Sequence, residues 1–303
     1  MDIHDMDTTE VPIQPDGEPS APQQVQVAVC GRSHMGKVRS NNEDQFFVAR
    51  VARSLETVVS SLPSDEVPAH ADTVGYIMVV ADGMGGAVAG EVASGTAVNT
   101  LVKVLLDVPD WVMRLDDAGF AEVSKRAAQY YDKVNEELSR RVQEEPELSG
   151  MGTTMTVAYS LGTGLFIAHV GDSRAYLLRR GKMRQLTRDH TQAQALVEAG
   201  VLSREQVTTH RLRHVLTNAL GVSDRPVDVE VHNVDLRDGD RLLLCTDGLT
   251  EMLSDAEIER ALGDGRPPGE TCQTLVDLAV EAGGRDNVTV VAAHYSVSAR
   301  SAS

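Results

Sequence analysis

The pattern of apolar residues predicts an α+β fold in which antiparallel sheets are covered by pairs of helices. Three observations lead there. Helical patterns come two at a time between runs of strands, without the strict strand–helix alternation of a doubly wound parallel sheet. The strand patterns are short and bounded by Gly-containing turns. Hydrophobic residues make up 42% of the 303 and aromatics only 4%, enough for a core built mostly of Val, Leu and Ala.

Met1 to about Gln24 is rich in Pro, Asp and Gln without periodicity, and reads as a disordered acidic tail, residues 1–24. Order is expected from Val25, where Val25, Val27 and Val29 alternate with Gln26 and Ala28. A strand fits Gln45–Val51, and Ser60–Asp72 reads as a loop or hairpin excursion. The unbroken apolar run Tyr76–Ala81 marks a buried strand. Glu91–Leu106 and Phe120–Val142 carry apolar residues at helical spacing. Strands are expected at Thr153–Ser160, Leu165–Val170 and Ala175–Arg179. Short helices follow at Thr191–Ala199 and Ser203–Val207, the second with Ser203 as cap and Gln206 at the capping-box position. Val227–Val234 and Arg241–Cys245 read as strands, Asp255–Leu262 and Glu270–Ala282 as helices, and Val288–Tyr295 as a last strand. No repeat of solenoid type is present.

Charge and cysteine content narrow the function. With 28 Lys plus Arg against 45 Asp plus Glu, the net charge is −17, a surface that repels a phosphate backbone and excludes nucleic-acid binding as the main task. Cys30, Cys245 and Cys272 lie far apart, with no CxxC pair, and read as buried thiols suited to a reducing cytoplasm. The N-terminus is acidic where a signal peptide would be basic, and no apolar run approaches the roughly 18 residues a membrane span needs. A cytoplasmic protein is expected.

Acidic residues recur beside glycine or at strand ends: Asn42-Glu43-Asp44, Asp82-Gly83-Met84-Gly85-Gly86, Gly171-Asp172-Ser173-Arg174, Asp247-Gly248-Leu249 and Arg285-Asp286-Asn287. One Asp-Gly pair is ordinarily only a turn. Several, each following an apolar strand, point toward one site. Converging carboxylates raise one another's pKa, and a divalent cation relieves them. All-oxygen ligands favour Mg²⁺ or Mn²⁺, and no His/Cys cluster has zinc spacing. The residues alone lead as far as an acidic site for two metals, if the carboxylates meet.

Seven strings extend this reading: Arg39-Ser40-Asn41-Asn42-Glu43-Asp44, Val80-Ala81-Asp82-Gly83-Met84-Gly85-Gly86, Gly152-Thr153-Thr154, Val170-Gly171-Asp172-Ser173-Arg174, Leu186-Thr187-Arg188-Asp189-His190, Thr246-Asp247-Gly248-Leu249 and Arg285-Asp286-Asn287-Val288-Thr289. In this order they resemble the PP2C-type, metal-dependent PPM family of protein Ser/Thr phosphatases, over about Val25 to Ser296. The resemblance implies a four-layer α-β-β-α sandwich at residues 25–298, with a mobile flap at about 190–224. It implies two tight Mn²⁺ or Mg²⁺ ions and a third, weaker one. Asp82 would bridge the tight pair with help from the Gly83 carbonyl. Asp247 and Asp286 would bind one ion, and Glu43 and Asp44 would support the other. Asp172, with Asp247, would serve the third, and Arg39 would bind phosphate. Arg39, Asp82 and Asp247 are thus the expected catalytic residues, in a hydrolysis of phosphoserine and phosphothreonine by water that the two metals activate. The expected partners are phosphorylated proteins, substrates of a Ser/Thr kinase, with no nucleic acid, no membrane and a monomeric enzyme. The alternatives are a catalytically weak regulatory module of the same fold and a phosphatase of anti-sigma-factor antagonists. A degenerate module should lack Asp82, Asp247 or Asp286, and all three are present.

One position departs from part of the family. Met84 stands where eukaryotic members carry a histidine that acts as general acid, and Met has no proton to give. Gly31-Arg32-Ser33-His34-Met35-Gly36-Lys37 resembles a P-loop, but Val38 replaces the metal-binding Ser or Thr. His210 and His214, spaced i, i+4, would share a helix face, with Arg211 and Arg213 adding positive charge to a flap surface that meets phosphorylated substrate. His190 is expected to be structural, and Trp111 a hydrophobic plug between helices.

Overall fold

The computed structural model describes residues 23–63, 66–86, 88–107, 117–207, 210–223 and 226–299. The acidic tail before residue 23 and Trp111 lie outside them. Two antiparallel sheets pack face to face, each covered by helices, so the four layers expected from the resemblance are present. The first sheet runs β1 (Gln23–His34), β11 (Val288–Ala299), β10 (Arg241–Cys245), β7 (Arg174–Arg179) and β8 (Lys182–Gln185). The second runs β2 (Asp44–Glu56), β3 (His70–Met84), β5 (Met155–Leu161), β6 (Gly164–Val170) and β9 (Glu230–Asp235), with β4 (Gly152–Thr153) on the end of β3.

The unbroken apolar runs are explained by burial on both faces. Along β3, Met78 and Val80 enter the layer between the sheets, while Ile77 and Val79 face the helices. Along β10, Leu242 and Leu244 point between the sheets, and Leu243 and Cys245 point to the opposite helices. Each such side chain contributes about 1.5–3 kcal/mol on burial. On the second sheet lie α1 (Ala89–Asp107) and α2 (Asp117–Glu144). Ala89, Ala93, Ala97 and Leu101 of α1 recur every four residues on its buried face. Tyr131 of α2 is 1% exposed, and its hydroxyl donates to the carbonyls of Met155 (3.1 Å) and Ala168 (2.8 Å).

The first sheet is covered by α6 (Asp255–Gly263) and α7 (Pro268–Glu281). Ser254 and Glu257 form a full capping box at the start of α6. The β8–β9 connection carries α3 (Gln192–Glu198) and α4 (Arg204–Val207), and the four-residue α5 (Asp247–Thr250) follows β10. The Ser203 amide donates to Gln206 Oε1 at 2.7 Å, the backbone half of the box the sequence predicts there.

Several boundaries differ from expectation. β1 begins at Gln23 rather than Val25, because its ladder with β11 runs from Gln23–Ala299 to His34–Val288. The β2–β3 ladder reaches Glu56–His70, so the loop is shorter than Ser60–Asp72 suggests on its far side. The expected strand Thr153–Ser160 is broken at Thr154: β4 pairs with the end of β3 at Gly83 and Met84, and β5 takes its place between β3 and β6. The expected strand Val227–Val234 pairs only over Glu230–Asp235. β8 and α5 are additional short elements.

Candidate metal centre

All of the acids picked out in the sequence stand on one rim, where strands of both sheets end. Asp44 opens β2 and Asp82 lies near the end of β3; the two are direct partners in the ladder. Asp247 opens α5 just after β10, and Asp286 lies two residues before β11. Asp172 and Arg39 sit on the β6–β7 and β1–β2 connections, which cross from one sheet to the other. Arg39, Glu43, Asp82, Gly83, Asp172, Asp247 and Asp286 line a single cleft of about 510 Å³. Asp44 lies beneath it, 3% exposed.

The backbone around this rim is held by side chains. Thr154 Oγ1 accepts from the Asp82 amide (3.0 Å), and the Thr154 amide and Thr153 Oγ1 both donate to the Asp82 carbonyl (2.9 and 2.8 Å). Asn287 holds the β1–β2 connection at three points: its Oδ1 accepts from the Glu43 amide (2.8 Å), and its Nδ2 donates to the carbonyls of Met35 (2.9 Å) and Asn41 (2.8 Å). Thr246 Oγ1 donates to Asp44 Oδ2 at 2.8 Å and accepts from the Thr289 amide, tying the sheets together below the acids. Gly83 has no room for a side chain, since a Cβ there would stand 2.0 Å from the Gly90 carbonyl. That contact lets α1 start directly against the end of β3.

The electrostatics are those of a site short of positive charge. Burial holds Asp82 well above the usual carboxylate range, and the charges of Asp44, Asp247, Asp172 and Asp286 add to the shift. Asp44 is pushed up to about 7 by burial, against hydrogen bonds from Thr289 and Thr246, with Asp247 and Asp286 adding repulsion. Asp247 is also pushed to about 7, by burial and then by Glu251 and Asp286. Asp172 is raised by burial and by Asp247, and Glu43 by burial, opposed by Arg39. Among the described residues, Arg39 is the one arginine or lysine lining the cleft, its Nη2 donating to Asp286 Oδ2 at 2.6 Å. Among the described residues, the buried carboxylate oxygens Asp44 Oδ1, Asp247 Oδ1 and Glu251 Oε1 accept no hydrogen bond of good geometry. Orphaned anionic oxygens amid oxygen-only donors fit a hard divalent cation.

One residue of this rim, Glu251, was not singled out in the sequence. Glu251 lines the cleft, and its Oε1 lies 2.7 Å from His214 Nδ1. His214 Nδ1 is also 3.9 Å from Asp247 Oδ2. The pairing of His210 and His214 on a helix face is corrected: residues 211–214 form turns, and only His214 reaches the cleft. His210 instead accepts from the Leu212 amide. His190 is 6% exposed and does not line the cleft, in keeping with a structural role. Met84 does line it, as the last residue of β3, paired with Gly152 of β4.

A family model described as Protein phosphatase 2C matches residues 60–271. The chain is 35% identical over 260 residues to the serine/threonine phosphatase Stp of Listeria innocua, covering 86% of this chain and 92% of that one. It is 38% identical over 266 residues to the serine/threonine protein phosphatase PstP of Mycobacterium tuberculosis, covering 87% of this chain and 44% of that protein. The crystal structure of M. tuberculosis PstP/Ppp superimposes with a TM-score of 0.70 at 34% identity, over 88% of this chain and 98% of that one. The PstP catalytic domain in complex with two manganese ions gives a TM-score of 0.69 at 32% identity, over 90% and 100% of the two chains.

Proposed function

The chain belongs to the protein phosphatase 2C family of metal-dependent serine/threonine protein phosphatases, and from that premise we propose that it removes phosphate from phosphoserine and phosphothreonine in proteins. The observation that carries the reading is the convergence of Asp44, Asp82, Asp172, Asp247 and Asp286 around buried oxygens that lack donors. Asp82, with the Gly83 carbonyl, would hold two Mn²⁺ or Mg²⁺ ions. Asp247 and Asp286 would complete one site, Glu43 and Asp44 would support the other, and Asp172 with Asp247 would hold a third, weaker ion. Ions bound there would supply a more acidic water and positive charge opposite the phosphoryl oxygens. Arg39, oriented by Asp286, binds those oxygens with its remaining N–H groups.

The retention of Asp82, Asp247 and Asp286 supports an active enzyme over a degenerate binding module. We place it as a monomer in the cytoplasm, acting on substrates of a Ser/Thr kinase, with residues 25–298 as the phosphatase domain. Cys30, Cys245 and Cys272 are free thiols, which suits a reducing compartment. No helix among the described residues is long and apolar enough to cross a membrane. The test is release of inorganic phosphate from a phosphothreonine peptide with Mn²⁺, with Mg²⁺ and with EDTA. Metal-dependent release is expected; undiminished release in EDTA would overturn the assignment.

A further inference from the structure

His190 touches no substrate-facing surface, yet it is bonded on every side. Its own amide donates to the Gly171 carbonyl at 2.7 Å, and the Gly171 amide returns a bond to His190 Nδ1 at 3.2 Å. Its Nε2 lies 3.3 Å from Glu230 Oε2. Burial works against ionisation of Glu230, but bonds from His190 and His232 and from the Arg188 amide outweigh it and hold the carboxyl below its usual range. An ionised Glu230 only accepts, so the His190 proton sits on Nε2 and Nδ1 is left as an acceptor for Gly171. The second ring beneath, His169, lies with its centroid 4.9 Å away; its Nε2 donates to the carbonyls of Gly171 (3.0 Å) and Arg188 (3.1 Å). The donor atoms of His169, His190 and Glu230 lie within 4.8 Å of one another, a spacing that would suit a cation, but hydrogen bonds already occupy the ring nitrogens.

The same residue closes the base of the flap. The Thr217 amide donates to the His190 carbonyl at 2.8 Å, Thr191 bridges to Leu216, and Asn218 Nδ2 lies 3.1 Å from His190 Nδ1. On its other side the Gly171–Asp172 turn is fixed by Ser173 Oγ against Thr154 Oγ1 at 2.8 Å. Gly171 has φ 114, and a Cβ there would stand 2.5 Å from Thr154, so the turn has one allowed shape with two walls.

We propose that His190 is a positioning residue for Asp172: its Nδ1 fixes the Gly171–Asp172 turn, its Nε2 is held in place by Glu230, and its carbonyl ties that turn to the base of the flap through the Thr217 amide. The inference rests on the phosphatase reading above and concerns the weak third ion, since the tight pair draws on Asp82 and Asp286, which His190 does not touch.

Two amide side chains separate this role from mere packing. His190→Asn places a carbonyl oxygen near the position of Nδ1 and keeps an acceptor for Gly171. His190→Gln reaches the position of Nε2, keeps the bond to Glu230 and leaves the Gly171 amide unpaired. Mn²⁺ calorimetry should show the weak site of His190→Gln loosened by about tenfold or more, and that of His190→Asn within about threefold of wild type, the range expected for the partners of a metal ligand. The tight ions should be unchanged in both, which also reports an intact fold. The Mn²⁺ concentration for half-maximal hydrolysis should move by the same factors. Equal weak-site affinity in all three proteins, equal loss in both variants, or loss of the tight ions in His190→Gln would overturn the proposal. So would a wild type with no weak Mn²⁺ event. Failure of the phosphatase reading looks different: wild type would release no phosphate at any Mn²⁺ concentration, whereas the binding comparison needs no turnover.

Discussion

Arg39 donates from Nη2 to Asp286 Oδ2 at 2.6 Å, so the group proposed to grip phosphate is aimed by one of the acids proposed to hold metal. The pair is half exposed at the mouth of the cleft, with side-chain exposures of 51% and 26%. An ion pair this open adds little stability; its effect is orientation. One edge of the guanidinium fork is engaged and the other N–H groups are free to meet two phosphoryl oxygens.

Lysine cannot hold Asp286 and present two parallel donors at once. Arg39→Lys should therefore lower kcat/KM for a phosphopeptide by ~10²–10³, the usual loss for such a donor. Mn²⁺ affinity by calorimetry should change much less. Near-wild-type kcat/KM would make Arg39 an ordinary surface residue.

Without metal, pH should act on stability in a direction opposite to that of a salt-bridged carboxylate. Asp44 and Asp247 titrate at about 7 in the folded chain against an ordinary 3.8. Over that interval the folded state binds more protons than the unfolded one, so stability present below it is lost as pH rises toward 7. In EDTA the thermal midpoint should fall across this window, and Mn²⁺ should remove the fall by taking the place of the protons. At a hundredfold excess over Kd a single ion adds ~2.7 kcal/mol. A midpoint in EDTA that stays flat from acid to neutral pH would contradict the clustering of charge.

Asp82→Asn should split stability from function. Burial and four neighbouring carboxylates all oppose the charge on Asp82. Removing it should raise the metal-free midpoint above pH 7 by about 2–4 °C, the shift that ~1 kcal/mol gives a domain of this order. The same variant should lose Mn²⁺-dependent hydrolysis and Mn²⁺-induced stabilisation together. A variant less stable than wild type in EDTA would show that Asp82 is held by bonds its charge needs.

Leaving-group chemistry should report on Met84. A serine alkoxide needs a proton more than an aryl oxide does, and Met84 cannot give one. His214 is the histidine that lines the cleft. Plots of log kcat/KM against leaving-group pKa should steepen in His214→Ala if it donates, with alkyl phosphates losing ~10²-fold or more. His190→Ala should leave the slope unchanged, because the ring is enclosed and bonded. A steep wild-type slope unaltered in His214→Ala would leave both histidines outside proton transfer, and Met84→His should then favour alkyl substrates.

Asn287 should matter more than its neutral side chain suggests. It is 4% exposed and satisfies the Glu43 amide and the carbonyls of Met35 and Asn41. Asn287→Leu would strip partners from all three, at about 1–3 kcal/mol for each group that stays buried. Urea unfolding should show the loss in wild type against variant, and Mn²⁺ affinity should drop with it because the Glu43 segment loosens. A variant as stable as wild type would mean that water replaces the amide.

Much of this architecture is legible because both kinds of signal are local. Tyr76–Ala81 and Leu242–Cys245 are apolar without a break, as strands buried on two faces must be, and an acid follows within two residues of each. Glu251 has no such signal. It lies just past Thr250, the end of α5, four residues beyond Asp247, and a helix of four residues is too short to display a periodicity. β8 has a single apolar residue, Met183, among its four, too few for an alternation to show in the sequence, although Gly181 with φ 74 marks the turn before it. His210 and His214 mislead for the converse reason: spacing alone suggests a helix face, but no apolar stripe supports one. The meeting of Asp172 with Asp247 depends on how two sheets stack, which no local pattern encodes.

Asp44 and Asp82 belong to one sheet, Asp247 and Asp286 flank strands of the other, and the two pairs face each other across the seam. The distance between the pairs is therefore a reading of sheet alignment, as on a vernier. A misplacement of ~1 Å at reacting groups can cost about a hundredfold in rate. Met78, Val80, Leu242, Leu244 and Val291 fill the interlayer and never meet a phosphate, yet they set that alignment. Their shapes are under catalytic as well as structural constraint. A substitution that keeps the core volume but shears one sheet along the other detunes the enzyme while leaving it fully folded.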